Sequence, residues 1–202
     1  MSSATGRAKQ SAQGFVFVIS GPSGSGKTTL AQKILQHPQF KGKFIKPVSF
    51  TTRPKRQGER QGRDYLFVSK EEFRRLLRAK KILEHTRYLG YDYGTPRDFL
   101  TEAVKKGINV ILCLDIKGAI FVKRAFHKRA VTIFVKPPSL SIARQRIVRR
   151  CAKTRPEEVK GRLRLAAHEL SYARQYDYYL VNDNLNQTLG EVVRIIQWAI
   201  SR

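Results

Sequence analysis

The chain has 202 residues, with 40 Lys and Arg against 15 Asp and Glu and a formal net charge of +25. That length suits one well-buried α/β domain with a small insert, and no apolar run approaches the roughly 20 residues that a membrane span needs. Two unpatterned cysteines, Cys113 and Cys151, argue against a disulfide scaffold or a zinc framework and suit a reducing, cytoplasmic setting. The cationic surplus favours anionic ligands. No module interleaving aromatic and basic residues stands out, so nucleic acid is expected only as non-specific electrostatic binding.

Residues 1–13 read as a disordered basic tail, with a short organellar transit peptide as the competing reading. Phe15 to Ile19 is a β-branched and aromatic run, a buried strand. The sequence Gly21-Pro22-Ser23-Gly24-Ser25-Gly26-Lys27-Thr28-Thr29 follows, then a helix to Gln36 with Leu30, Ile34 and Leu35 at helical spacing. His37-Pro38 ends that helix, because the residue before proline is pushed out of the α region. Phe44 to Phe50 is expected as a strand, Thr51 to Asp64 as loop, and Tyr65 to Val68 as a short strand. Ser69 caps a helix with Glu72 as its capping-box partner and Phe73, Leu76 and Leu77 on the apolar face. Ile82 to Tyr93 is extended, with a turn at Leu89-Gly90. Thr95 is the expected N-cap of the next helix, with Pro96 at its first position.

Ile108 to Leu114 is almost wholly apolar, as in a strand covered on both faces. Helix 117–127, strand 131–135, helix 139–150, a long helix 156–176, a short strand 179–181 and a closing helix 185–200 complete the chain. The alternation predicts an α/β fold, a parallel sheet flanked by helices. One mixed β segment interrupts it. The expected division is a core of 14–48, 97–136 and 177–202, an insert of 49–96, and a helical lid of 137–176.

Residues 21–29 fit the phosphate-loop pattern, and the strand before and helix after supply the context it requires. Glycines let successive N–H groups face one anion, and the helix adds its positive end. Lys27 then reaches the outer phosphates, and the Thr28 hydroxyl suits Mg²⁺. Asp115 stands just past the carboxyl end of a strand, where open α/β sheets put functional groups. It reads as the magnesium-side acid, acting directly or through water, with a helix N-cap as the plainer role. These residues predict an ATP- or GTP-using protein.

The stretch Ser49-Phe50-Thr51-Thr52-Arg53-Pro54-Lys55-Arg56-Gln57-Gly58-Glu59-Arg60-Gln61-Gly62-Arg63-Asp64-Tyr65-Leu66-Phe67-Val68 resembles the guanylate kinase signature. Ile82-Leu83-Glu84-His85, Tyr91-Asp92-Tyr93-Gly94-Thr95, Leu114-Asp115-Ile116, Pro137-Pro138-Ser139 and Val181-Asn182-Asp183 extend the likeness in order, from about Gly14 to Arg202. The resemblance implies a P-loop nucleoside monophosphate kinase moving a phosphoryl group from ATP to GMP, with Mg²⁺, in purine metabolism. By resemblance, Arg53, Arg56, Tyr65 and Tyr93 hold the acceptor phosphate. Glu84 reads the guanine edge, Ser49 and Thr95 complete base recognition, and Asn182 belongs to the ATP side. Arg146, Arg150 and Arg162 are the implied lid arginines gripping the transferring group.

Two departures stand out. The family carries a second acid two residues after the Asp115 position, where this chain has Lys117. The lid also lacks the usual glycine and runs Arg150-Cys151-Ala152-Lys153-Thr154-Arg155 instead. The competing readings are a related kinase with another acceptor and a non-catalytic interaction module, which intact Lys27 and Thr28 argue against. The four histidines are scattered and receive no role. The chain is expected as a monomer or homodimer.

Overall fold

The computed structural model describes residues 13–150 and 156–202. The basic tail up to Ala12, the Cys151–Arg155 stretch and the Arg150 side chain lie outside what it describes. In chain order the elements are β1 (Val16–Ser20), α1 (Lys27–Gln36), β2 (Phe44–Ile45), β3 (Phe50–Thr51), β4 (Leu66–Phe67), α2 (Lys70–Arg78), β5 (Ile82–Tyr88) and β6 (Tyr91–Pro96). They continue as α3 (Arg97–Lys105), β7 (Asn109–Cys113), α4 (Ile116–Phe126), β8 (Ala130–Lys136), α5 (Leu140–Arg150), α6 (Pro156–Leu170), β9 (Tyr178–Val181) and α7 (Leu185–Ile200).

One sheet runs β2-β7-β1-β8-β9, parallel throughout. Its two faces follow from the period-2 alternation of strand side chains. Phe17 and Ile19 of β1 pack with Ile111 and Ile133 against Leu30 and Ile34 of α1 and Val192 and Ile196 of α7. Val16 and Val18 turn the other way, to Leu100 and Val104 of α3 and Ala119 and Val122 of α4. Asp177 pins the far edge: its carboxylate accepts from Lys123 Nζ at 2.7 Å and from both the amide and the hydroxyl of Thr132.

The second sheet is mixed, in the order β4-β3-β6-β5. Strands β3 and β4 are parallel, while β6 is antiparallel to both β3 and β5. Phe73 of α2 reaches this sheet beside Gly94. The α/β class with a separate mixed sheet is as expected from the sequence.

Four local expectations are corrected. Phe44 to Phe50 is not one strand: Phe44–Ile45 pairs with β7, whereas Phe50–Thr51 joins the second sheet. Pro47 lies between them, and proline cannot donate to a ladder. Thr95 does not cap α3. It lies inside β6, and Pro96 holds the cap position without a side-chain bond. The helix expected over 156–176 ends at Leu170, where bonds from Ser171 N to His168 O and from Tyr172 N to Glu169 O tighten the chain into a 3-10 turn at Ala173–Gln175. No Gly or Pro marks that stop. The Ser69 cap forms through the Glu72 amide, but the Glu72 carboxylate pairs with Arg75 rather than closing the box.

Ile133 lies in β8 with no exposed surface, so truncation there leaves a cavity between two covered faces. Ile133→Ala should lower unfolding free energy by about 2–5 kcal/mol, read from denaturant midpoints at unchanged slope.

Candidate active site

The two sheets meet at the carboxyl ends of β1 and β7, where an open α/β sheet offers its crevice. After β1 the chain enters the glycine loop, and α1 begins at Lys27. The turn is fixed by Ser25 N donating to Pro22 O at 3.1 Å. Gly26 takes φ 90°, and a Cβ there would stand 2.3 Å from Asn182 Nδ2, so both the backbone angle and the space demand glycine. Asn182, 3% exposed at the end of β9, donates from Nδ2 to Ser25 O at 2.7 Å. It supports the loop from beneath. Lys27 Nζ lies 3.4 Å from Pro22 O, folded back over the loop. Thr28 follows in the first turn of α1, and Thr29 is exposed.

Across the crevice, Arg53, Glu59, Tyr65 and Tyr93 gather beside the mixed sheet. Arg53 is only 7% exposed. Its guanidinium donates to Glu59 Oε1 at 2.7 Å and to Pro54 O at 2.8 Å, and lies over the rings of Tyr65 and Phe67. Burial alone would disfavour the charge of Arg53. Glu59 and Tyr93 more than offset it and push the pKa up. Glu59 in turn resists its own burial because Arg53 and the Arg56 amide both donate to it, and its pKa falls. Tyr65 meets Tyr93 edge-on at 5.9 Å. Arg56 is exposed at the mouth, and Ser49, half-buried, contributes its carbonyl to the Leu66 amide.

Glu84 lies on β5, 5% exposed. Its Oε1 accepts from Thr95 Oγ1 at 2.5 Å across the hairpin. Gly118 of α4 closes on its other oxygen: a Cβ there would stand 2.8 Å from Glu84 Oε2. Burial raises the Glu84 pKa to about 7, the Thr95 bond opposing and Asp115 adding to the rise. Asp115 is the N-cap of α4, its Oδ1 accepting from Gly118 N at 2.9 Å, and its Oδ2 accepts from Thr86 Oγ1. The plainer helix-cap role of Asp115 is therefore present. Lys117, beside this cap, is exposed.

The helices after β8 complete the crevice. Arg146 of α5 donates to Asn182 O at 3.0 Å and stands 3.5 Å from Gly24 O and Asp183 O, so it grips the backbone around the glycine loop. Arg162 of α6 faces Tyr88 at the end of β5. Glu169, near the end of α6, interacts with both Lys27 and Asp115. Burial lifts its pKa to about 7, Lys27 pulling it down and Asp115 pushing it up. Among the described residues no group of three or more His, Cys, Asp or Glu is arranged to hold a metal. Nor is any described helix long and apolar enough to cross a membrane.

The family model for guanylate kinase matches residues 13–199. The chain belongs to the guanylate kinase family. It is 40% identical over 184 residues to a guanylate kinase of Anaplasma phagocytophilum, covering 91% of this chain and 86% of that one. It is also 40% identical over 187 residues to a guanylate kinase of Streptococcus agalactiae, covering 93% and 88%. A crystal structure of guanylate kinase from Anaplasma phagocytophilum superposes with a TM-score of 0.75 at 34% identity, over 92% of this chain and 86% of that chain. This guanylate kinase fold is thus that of its relatives, parallel sheet and second sheet together.

The structure places Glu84, Tyr93 and Thr95 on strands of the mixed sheet, with Arg53 in the loop after β3 and Tyr65 just before β4. It turns Arg146 to the loop's backbone, not across to the acceptor cluster. Sequence reasoning passed over Glu59, Thr86, Tyr88 and Glu169. Glu59 had a signal, as the acid three residues beyond Arg56. The others reach the crevice only through tertiary packing.

Two carboxyls with raised folded pKa give a signed expectation. Each keeps its proton to about pH 7 in the folded chain but releases it at the ordinary carboxylate value when unfolded. The stability they contribute is full below about pH 4.5 and lost as pH rises through 7. Glu84→Gln should shrink that decline, and Glu169→Gln should remove most of the rest, read from denaturant midpoints between pH 4.5 and 8.

Proposed function

We propose that this guanylate kinase transfers the terminal phosphoryl group of MgATP to GMP, reversibly, giving ADP and GDP. One observation supports the site assignment: the mixed sheet bonds across to the side of the glycine loop, Tyr88 to Ser23 and Thr86 to Asp115. The glycine loop with Lys27 stands on one side, and the buried Arg53 with Tyr65 and Tyr93 stands on the other. Family membership, and relatives bearing the name guanylate kinase over most of this chain, support GMP as acceptor.

On the donor side, the amides of Gly21 to Thr29 and the Lys27 ammonium take the ATP phosphates. Asn182 and Arg146 steady that loop. On the acceptor side, Arg53 and Arg56 present guanidinium forks and Tyr65 and Tyr93 present phenols to the GMP phosphate. Glu84, once ionised, accepts from N1–H and the 2-amino group of guanine. Thr95 holds that carboxylate in place, and Ser49 lies at the edge of the same pocket. The acceptor phosphate oxygen is ionised at neutral pH and attacks in line, so no strong general base is needed. Lys27 and Arg162 then stabilise charge in transit, with Arg150 assigned to the same task by resemblance. Insert 49–96 would carry GMP, lid 137–176 would cover the crevice, and core 14–48, 97–136 and 177–202 would carry the donor loop.

Magnesium takes hard oxygen ligands and keeps several waters, needing few from the protein. The Thr28 hydroxyl and the Asp115 carboxylate fit that donor set. Both Asp115 oxygens already accept a hydrogen bond, which favours contact through water. Bound there with ATP, the ion would neutralise charge on the donor phosphates. We place the enzyme in the cytoplasm, as a monomer or homodimer.

The test is ADP formation with MgATP against GMP, dGMP, IMP, AMP, UMP and CMP. GMP should turn over fastest, and Lys27→Ala should abolish turnover; comparable rates with several other acceptors would refute the assignment. Lys117 cannot accept from the 2-amino group, so preference for GMP over IMP should be modest. Lys117→Asp should sharpen it, measured as the ratio of kcat/KM values, and near-total rejection of IMP by the unsubstituted enzyme would sink that expectation.

A further inference from the structure

The tip of the β5–β6 hairpin meets the glycine loop at one place and α6 at another. The Tyr88 hydroxyl lies 3.1 Å from Ser23 Oγ, a bond spanning 65 positions of sequence from the acceptor sheet to the glycine loop. One residue on, Leu89 packs against α6, where a Cβ on Gly161 would stand 3.6 Å from Leu89 Cδ2. Leu89 and Gly90 take φ of 50° and 83°, a tight two-residue turn. The left-handed region is costly for a bulky leucine and persists where the surroundings over-determine it. The contacts of the tip with loop and helix are such surroundings. The charged and titratable groups facing Tyr88 are Glu169 and Arg162 of α6 and Tyr93 of the hairpin itself. The phenol therefore stands between the donor loop, the acceptor cluster and the helix that carries Arg162.

We propose that the Tyr88 hydroxyl is a positioning group that latches the acceptor hairpin to the donor loop through Ser23, so that affinity for GMP depends on a residue of the ATP side. The reasoning is conformational. The Tyr88–Ser23 bond exists only when the hairpin lies over the loop. That arrangement brings the Arg53, Tyr65 and Tyr93 cluster to the donor phosphates and excludes water from between them. A ligand that prefers this arrangement binds more weakly when the arrangement is less populated. Neither hydroxyl needs to touch GMP for its loss to be felt.

The size follows from the net worth of one neutral hydrogen bond, about two- to tenfold in an equilibrium constant. The experiment is calorimetric titration of GMP, without ATP, into the unsubstituted protein, Tyr88→Phe, Ser23→Ala and the double variant. Tyr88→Phe keeps the ring and its packing. Ser23→Ala removes the same bond from the opposite side, so a folding defect in one leaves the other as the test. Each single change should weaken GMP binding by about two- to tenfold, and the double variant should be no weaker than the weaker single one. Unchanged GMP affinity in Ser23→Ala, or losses that add in the double variant, would overturn the latch. The inference rests on GMP as the acceptor. An unsubstituted protein that binds no GMP overturns both readings, whereas normal binding with unaffected variants overturns the latch alone.

Discussion

The hydrogen bond from Asn182 to the carbonyl of Ser25 joins the last strand of the sheet to a loop that begins at the first. A loop that turns its N–H groups outward to an anion must have its carbonyls satisfied from behind, because a buried unpaired carbonyl is costly. Here the support is a side-chain amide, so close that only glycine fits at position 26. Arg146 adds a guanidinium across Gly24, Asn182 and Asp183. The glycine loop thus gets its floor by closure of the sheet: β9 pairs with β8, and Asn182 just beyond it stands beneath the loop after β1.

The acceptor side obeys a different constraint, that of a buried charge. A guanidinium as enclosed as Arg53 survives only with a partner, and Glu59 provides one. The Glu59 carboxylate also takes the Arg56 amide and so fixes the first half of the loop between β3 and β4, while Asp64 takes the Arg60 amide in the second half. Facing aromatic rings of Tyr65 and Phe67 hold the guanidinium plane. What remains is a cation restrained in advance by its partners. Glu84 shows the opposite solution. Burial outweighs the Thr95 hydrogen bonds and holds its pKa near neutrality, with Gly118 crowding the carboxylate.

Between the two sides runs a set of bonds that cross from sheet to sheet. Thr86 reaches Asp115 and Tyr88 reaches Ser23, while Glu169 of α6 adds charge interactions with Lys27 and Asp115 rather than bonds. Asp115 illustrates how one residue serves two levels. As a helix cap it starts α4, and through Thr86 it fixes the hairpin that presents Glu84. Fold and site are not separable at that position.

The alternation of apolar runs and helical periods determined the α/β class, because a strand buried on both faces and a helix with one apolar stripe leave different periods in the sequence. The glycine loop was legible for a similar reason, since its geometry is local and each residue has a backbone duty. The ordered set of Arg53, Tyr65, Glu84 and Tyr93 was legible through likeness to a family, not through periodicity. Tertiary structure alone decided the rest. The break at Pro47 divides one apolar run between two sheets, and each half pairs with a strand more than 40 residues away, β2 with β7 and β3 with β6. Thr95 reads as a helix cap by local rule, but the carboxylate of Glu84 across the hairpin claims its hydroxyl. The last turn before Ser171 tightens with no local signal. Tyr88, Thr86 and Glu169 carry no local pattern either, because their roles come from what they face across the crevice, and that pairing is fixed only when the two sheets have packed.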